Sequence, residues 1–292
     1  MPKVSIVLPV YNGERFLEQS LDSILNQTFS DWELVIVNDC SKDKTPKIAD
    51  QYAQKDGRIR VIHNKVNKKL PASLNVGFAQ TTGEYLTWTS DDNIAKTNWL
   101  DTLVKYLDEH PNADMVSASM ERINEDGSIF DLPPAKDDRK VIDLAYRCNV
   151  GAAFMYRRSI ADIVGEYDTN TFCAEDYDYW CRIALAGELH YLADNIYSYR
   201  INSASLTATQ QPRILQKKSD IQKKYRTAFI DKFNMGYIKR AILSYLSVER
   251  KWSPMFIVFD TYKFILRQAT NILLFWNTTL RKRVFQSLTI KL

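Results

Sequence analysis

The sequence predicts an α/β fold built on a mainly parallel, doubly wound sheet with helices on both faces, and three observations support this. Strand-like runs alternate with helix-like stripes on short connections through the first hundred residues. The first run, Val4–Val10, is apolar almost throughout, as a strand covered on both faces requires. Polar clusters follow several of the predicted strands: Tyr11-Asn12-Gly13-Glu14, Asn38-Asp39-Cys40-Ser41 and Ser90-Asp91-Asp92. Sheets of this kind hold ligands beyond the carboxyl ends of their strands.

The elements follow in order. After the first strand, residues 15–29 place Phe16, Leu17, Leu21, Ile24 and Leu25 near one helical face. Residues 32–37 form a second strand, 45–55 a helix, 59–63 a third strand and 72–80 a short helix. Residues 84–89 form a fourth strand that runs into Asp91-Asp92, and 98–109 a helix closed by His110-Pro111. Beyond residues 115–123 the alternation lapses, and the Asp126-Gly127 turn and the Pro133-Pro134 segment read as loop. Residues 150–156 and 189–192 read as later strands, with a helix over 176–186 that opens on Glu175-Asp176.

From about Pro212 the chain reads as helical and basic. Residues 213–292 carry a balance of +13, whereas residues 1–212 carry −9. Such a split implies two jobs for two regions. Residues 238–248 are amphipathic, and 254–276 are rich in Phe, Ile, Leu and Tyr but interrupted by Asp260, Lys263, Arg267 and Gln268. That falls short of the roughly 20 apolar residues of a membrane span. Three uses fit this tail: a helix lying in an anionic membrane interface, a bundle packed on the body, and a nucleic-acid patch. The aliphatic and aromatic content favours the first and disfavours the last, so no nucleic-acid partner is expected. The four cysteines are scattered with no Cys-x-x-Cys pair, and the chain opens directly on a strand. Both features suggest reduced thiols, no leader and a cytoplasmic setting.

Two acidic pairs carry the candidate chemistry. Asp91-Asp92 ends the fourth strand, and Glu175-Asp176 lies 84 residues further on. Adjacent carboxylates are costly to bury together without a cation, and Mg²⁺ or Mn²⁺ would serve while leaving positions open for phosphate oxygens. Taken alone, Asp91-Asp92 is more simply a solvated turn in which Asp92 or Asn93 caps the next helix. Likewise Asp39 alone reads as an Asx turn, and Glu175-Asp176 as charge complementing a helix N-terminus. His63 and His190 show no zinc spacing, and Trp88 reads as core.

Taken in order, however, these segments resemble the family 2 glycosyltransferases. The resemblance rests on the opening Val4-Ser5-Ile6-Val7-Leu8-Pro9-Val10-Tyr11-Asn12, on Val37-Asn38-Asp39-Cys40-Ser41 through Thr45, and on Leu70-Pro71-Ala72-Ser73-Leu74-Asn75. It continues in Thr89-Ser90-Asp91-Asp92, Gly151-Ala152-Ala153-Phe154, Ala174-Glu175-Asp176-Tyr177 and Tyr199-Arg200-Ile201-Asn202, and covers residues 3–206. It implies a GT-A fold, with a catalytic domain over 1–211 (a nucleotide-sugar half to about 115 and an acceptor half over 116–211) and a C-terminal region over 212–292. It also implies inverting, metal-dependent transfer of a hexosyl or N-acetylhexosaminyl group. The donor would be a nucleotide sugar, with UDP favoured, and the acceptor a glycan or lipid-linked molecule of the cell surface.

By the same resemblance Pro9, Tyr11, Glu14, Asp39 and Asp91 would hold the donor, Asp92 the Mn²⁺ or Mg²⁺, and Asp176 would be the general base with Glu175 beside it. Tyr179, Trp180 and Arg200 are candidates for the acceptor side. Cys40 stands where the family commonly has Gly, and Asn202 where it often has His. A nucleotidyltransferase is the first alternative, disfavoured because Gly13 is the one glycine near the first strand. A non-catalytic nucleotide-sugar or glycan-binding protein is the second.

Overall fold

The structure, a computed structural model, describes residues 1–134 and 136–233. Its elements run β1 (Val4–Val10), α1 (Leu17–Leu25), β2 (Trp32–Asn38), α2 (Thr45–Lys55), β3 (Ile59–His63), α3 (Leu70–Phe78), β4 (Tyr85–Trp88), β5 (Ile94–Ala95) and α4 (Trp99–Glu109). There follow β6 (Met115–Ile123), β7 (Ile129–Asp131), β8 (Phe154–Arg157), α5 (Arg158–Val164), α6 (Glu175–Ala186), β9 (Leu189–Arg200), α7 (Leu206–Thr209) and α8 (Gln211–Lys232). Short 3₁₀ turns occupy Val141–Ala145 and Thr169–Thr171.

One mixed sheet runs in the order β3-β2-β1-β4-β8-β6-β9-β5, with β7 paired to β6. Strands β3, β2, β1 and β4 are parallel, as expected of buried strands joined by helical crossovers. The second half departs from that pattern, because β8 lies antiparallel to both β4 and β6. Direction is not encoded in hydrophobic periodicity: Phe154 to Tyr156 are buried, as either orientation would allow. One apolar cluster lies under α1, α2 and α4, and a second under α3, α6 and α8.

Several boundaries differ from expectation for local reasons. The helix expected over 15–29 is confined to Leu17–Leu25. Beyond it Gln27 Nε2 donates to the carbonyls of Ser23 and Lys96, and the Thr28 amide donates to the Thr97 carbonyl, which turns the chain away. The strand expected over 189–192 extends to Arg200. Asp194 and Asn195 interrupt its apolar pattern, but register shifts in the β6–β9 ladder absorb them. There Asn195 accepts from the Glu121 amide and donates to the Glu121 carboxylate.

Helix α8 opens at Gln211, and it packs on the body. Ile214, Ile221 and Phe229 are buried, and Gln222 Nε2 donates to the Tyr146 carbonyl at 2.7 Å. Each such apolar side chain contributes about 1.5–3 kcal/mol on burial. No helix among the described residues is long and apolar enough to cross a membrane. The amphipathic segment 238–248 and the aromatic segment 254–276 lie outside the described residues.

Candidate active site

The strand order reverses between β1 and β4, which places the ends of these two strands at the switch point of the parallel half. Gly13, just after β1, lies against Asp91, just after β4. A Cβ at residue 13 would collide with the Asp91 carboxylate and come within 2.6 Å of the Val10 side chain. Only glycine lets the two loops approach so closely.

The loop after β1 is fastened to the loop after β2. The Asn12 amide donates to Ser41 Oγ at 2.9 Å, and Asn12 Oδ1 accepts from the Lys42 amide at 2.8 Å. The Gly13 amide donates to Thr45 Oγ1, the Glu14 amide to Asp43 Oδ2, and Glu14 Oε2 accepts from the Lys44 amide at 2.9 Å. Burial works against the Asp43 carboxylate, but hydrogen bonds from Thr45 and the Glu14 amide hold it below the ordinary range. Asn12 and Cys40 take positive φ of 54° and 66°. That conformation favours glycine, which accounts physically for Cys40 standing at a position suited to Gly.

Asp39 is buried beneath this double loop. Its Oδ1 accepts from Asn64 Nδ2 at 2.9 Å and the Lys68 amide at 2.8 Å, and its Oδ2 accepts from the Lys69 amide at 2.9 Å. Pro9 is also buried, in register with Val37 of β2. Tyr11 and Glu14 are exposed at the rim, Tyr11 to 52%. Pro9 and Asp39 are therefore buried at the ends of β1 and β2, with Tyr11 and Glu14 exposed beside them.

At the β4 end, Asp91 is partly buried. Burial, with the neighbouring Asp92 carboxylate adding to it, pushes its carboxyl up to about 7. Asp92 Oδ1 accepts from Ser90 Oγ at 2.5 Å, and its Oδ2 from Asn202 Nδ2 at 3.2 Å. Asn202 thus reaches the carboxylate expected to hold a metal. Among the described residues no three His, Cys, Asp or Glu side chains cluster as a ready metal cage.

The second acidic pair opens α6. Glu175 is buried and its Oε2 accepts from the Cys173 amide at 2.7 Å. Burial first, and Asp176 second, push its carboxyl up to about 8. Burial also raises Asp176, whose Oδ1 accepts from the Tyr177 amide at 2.7 Å. Cys173, just before this helix, takes a positive φ of 80°. Backbone strain of this kind gathers at functional sites. Burial raises the Tyr199 phenol, and the carboxylates of Asp92 and Asp176 raise it further. Tyr199 therefore stands within the fields of both acidic clusters, on the final strand of the sheet.

Comparison with known proteins fits this geometry. The family model described as glycosyl transferase family 2 matches residues 5–164, more than half of the chain. The chain belongs to family 2 of the glycosyl transferases. The putative glycosyltransferase EpsE of Bacillus subtilis is 40% identical over 120 residues, an alignment covering 41% of this chain and 43% of EpsE. An uncharacterized glycosyltransferase of Haemophilus influenzae is 26% identical over 250 residues, covering 80% of this chain and 76% of that protein. Among solved structures, S. aureus TarS 1–349 in complex with UDP-GlcNAc superposes with a TM-score of 0.62 at 20% identity, covering 78% of this chain and 73% of TarS 1–349. The mannosyltransferase PcManGT from Pyrobaculum calidifontis, in complex with GDP-Man and Mn²⁺, superposes with a TM-score of 0.58 at 17% identity, covering 93% of this chain and 87% of that one. These likenesses establish the GT-A fold.

Three residues of this family 2 glycosyl transferase are placed otherwise than expected. Trp180 is buried against Phe154 and Tyr156, and Tyr179 is buried and stacks on Tyr167 with centroids 3.9 Å apart. Neither ring offers a face to an acceptor sugar. Arg200 is 2% exposed. Its Nε donates to the Asp92 carbonyl at 2.8 Å, its NH1 to the carbonyls of Asn124 and Glu125, and its NH2 to Gln19 Oε1. It is a strut beneath the Asp91-Asp92 turn, not an acceptor ligand.

Gly13 and Asn202 join the site through contacts that sequence spacing does not show. The single sequence signal for Asn202 is its place in the Tyr199-Arg200-Ile201-Asn202 element. His63 is accounted for structurally, bonded to Asn38 and Asp50, and so is His190, bonded to Tyr106.

Proposed function

We propose that this family 2 glycosyl transferase moves a hexosyl or N-acetylhexosaminyl group from a nucleoside-diphosphate sugar, UDP-linked, to a hydroxyl of a glycan or lipid-linked acceptor, with inversion. One observation carries the reading: the Asp91-Asp92 pair lies at the switch point of the sheet, where Asp91 meets Gly13 after β1 and Asp92 meets Asn202 after β9. The binding of UDP-GlcNAc by the fold neighbour TarS supports a UDP donor.

Pro9, Tyr11, Glu14, Asp39 and Asp91 hold the donor in this reading. Asp39 shapes the base pocket by ordering residues 64–69, and exposed Tyr11 offers a ring for stacking. Asp92 is the ligand for Mn²⁺ or Mg²⁺. The residues fit such an ion: Asp91 and Asp92 form an acidic pair without an ammonium or guanidinium bonded to either carboxylate among the described residues. These hard cations commonly take one or two carboxylates and complete their shell with water and phosphate oxygens. When bound, the cation offsets the charge that develops on the leaving diphosphate.

Asp176 takes the proton of the acceptor hydroxyl. The acceptor oxygen forms its bond to the anomeric carbon from the face opposite the diphosphate. The anomeric carbon–oxygen bond to the diphosphate breaks, and its electron pair leaves with the diphosphate. Glu175 is lifted to about 8 and Asp176 is raised as well, so the two titrate together as a pair beside the acceptor.

Purified protein mixed with a panel of nucleotide sugars tests the donor. One donor is expected to release its nucleoside diphosphate with Mn²⁺, and the release is expected to stop in EDTA. Failure of every nucleotide either to be turned over or to protect the protein from proteolysis would refute the donor reading.

In this reading residues 1–115 form the nucleotide-sugar half and 116–211 the acceptor half. The basic region 212–292 holds the enzyme peripherally at the inner face of the membrane, beside its acceptor. A chain ending at Phe233 keeps α8 and tests this directly. It is expected to lose binding to phosphatidylserine vesicles that the full chain retains at low salt. Equal binding by both would rule out the anchor.

A further inference from the structure

Helix α8 carries a lysine on its docking stripe. Ile214, Ile221, Gln222 and Phe229 are buried there, and Lys218 falls in the same stripe, four residues from Ile214 and Gln222. Lys218 is itself partly buried. The neighbouring contacts show what it faces. Towards the start of α8, the Arg213 guanidinium lies over the Phe172 ring, 4.8 Å from its centroid. Further along, Lys224 Nζ lies 3.0 Å from Asp178 Oδ1, and the Tyr225 hydroxyl donates to the same oxygen at 2.8 Å. Lys232 Nζ donates to the carbonyls of Ala184, Leu185 and Gly187. Helix α8 therefore runs alongside α6 in the same direction. Lys218, between Arg213 and Lys224, faces the chain between Phe172 and Asp178, where Glu175 and Asp176 sit.

We propose that Lys218 is a positioning residue for the general base: its ammonium keeps Asp176 in the carboxylate form, so that α8 belongs to the catalytic unit. This rests on the reading of Asp176 as the base. The charge of Lys218 lowers both Asp176 and Cys148 against the burial that raises them. The Asp176 charge also acts on Glu175 and Cys181 on α6, Cys148 after the first 3₁₀ turn, Tyr167 before the second, and Tyr199 on β9. Against the burial that raises Asp176, the hydrogen bond from the Tyr177 amide acts first and the charge of Lys218 second, and Arg213 and Lys217 act on the neighbouring Cys173.

Two measurements on the full chain test the proposal. In the first, kcat/KM is followed against pH for wild type, Lys218→Gln and Lys218→Arg. The Gln variant is expected to lose roughly three- to tenfold at pH 6, with the gap closing by pH 8.5, and the Arg variant to follow wild type. A loss that is uniform across pH would indicate a purely structural role and overturn the proposal. The second needs no turnover: the Asp176 carboxyl carbon is titrated by NMR and assigned by its absence in Asp176→Asn. It is expected to titrate at higher pH in Lys218→Gln than in wild type, and an unchanged titration would overturn the proposal. A displaced titration combined with full activity of Asp176→Asn would place the failure in the assignment of the base.

Discussion

Replacing Asp176 by Asn is expected to reduce sugar transfer by about 10²- to 10⁴-fold, the usual contribution of a positioned general base. Fold and donor binding should survive. The Asn carbonyl can still accept from the Tyr177 amide, as Asp176 Oδ1 does at 2.7 Å. The variant also removes a buried ionisable group that is raised by its surroundings. The diagnostic result is therefore a large fall in kcat with nucleotide protection against proteolysis unchanged. Transfer within tenfold of wild type would show that another group accepts the acceptor proton, and Glu175 would be the next candidate.

Thermal or urea unfolding should show the protein losing stability as pH rises from about 5 to 8. Glu175 is buried and its carboxyl is lifted from 4.5 to about 8, first by burial and then by Asp176. The sign follows from linkage. Between those values the folded state binds more protons than the unfolded state, so stability is full below the unfolded value and declines through the folded one. A tenfold difference in proton affinity between the two states corresponds to about 1.4 kcal/mol, so the decline is on the order of 3–4 kcal/mol across this window. Glu175→Gln keeps an oxygen to accept from the Cys173 amide but has no charge to bury. Its stability should vary less with pH, and it should exceed wild type above pH 8. An equally steep decline in the variant would assign the pH dependence to other groups.

The fold class and the polar strand ends were legible in the chain because both are local properties. Val4–Val10 is buried along its whole length, as its composition requires. The turn chemistry of Asn38-Asp39 and Ser90-Asp91-Asp92 is written next to the strands it follows. Period and composition specify which residues are to be buried, but not by which neighbour. Tyr179 and Trp180 could have faced a sugar from an exposed side of α6. They are buried because α6 packs beneath α8 and over the aromatic side chains of β8. Arg200 could have reached outward, yet its guanidinium is drawn in by the Asp92, Asn124 and Glu125 carbonyls.

The chain by itself determined an alternating α/β body, two acidic pairs and a basic C-terminal region, because periodicity, turn residues and charge are additive along a sequence. Tertiary structure alone decided that Gly13 meets Asp91 and that Asn202 meets Asp92. Those pairings join residues tens to more than a hundred positions apart. They depend on strand order and helix docking, which are set by the packing of the whole core and leave no local trace in the sequence.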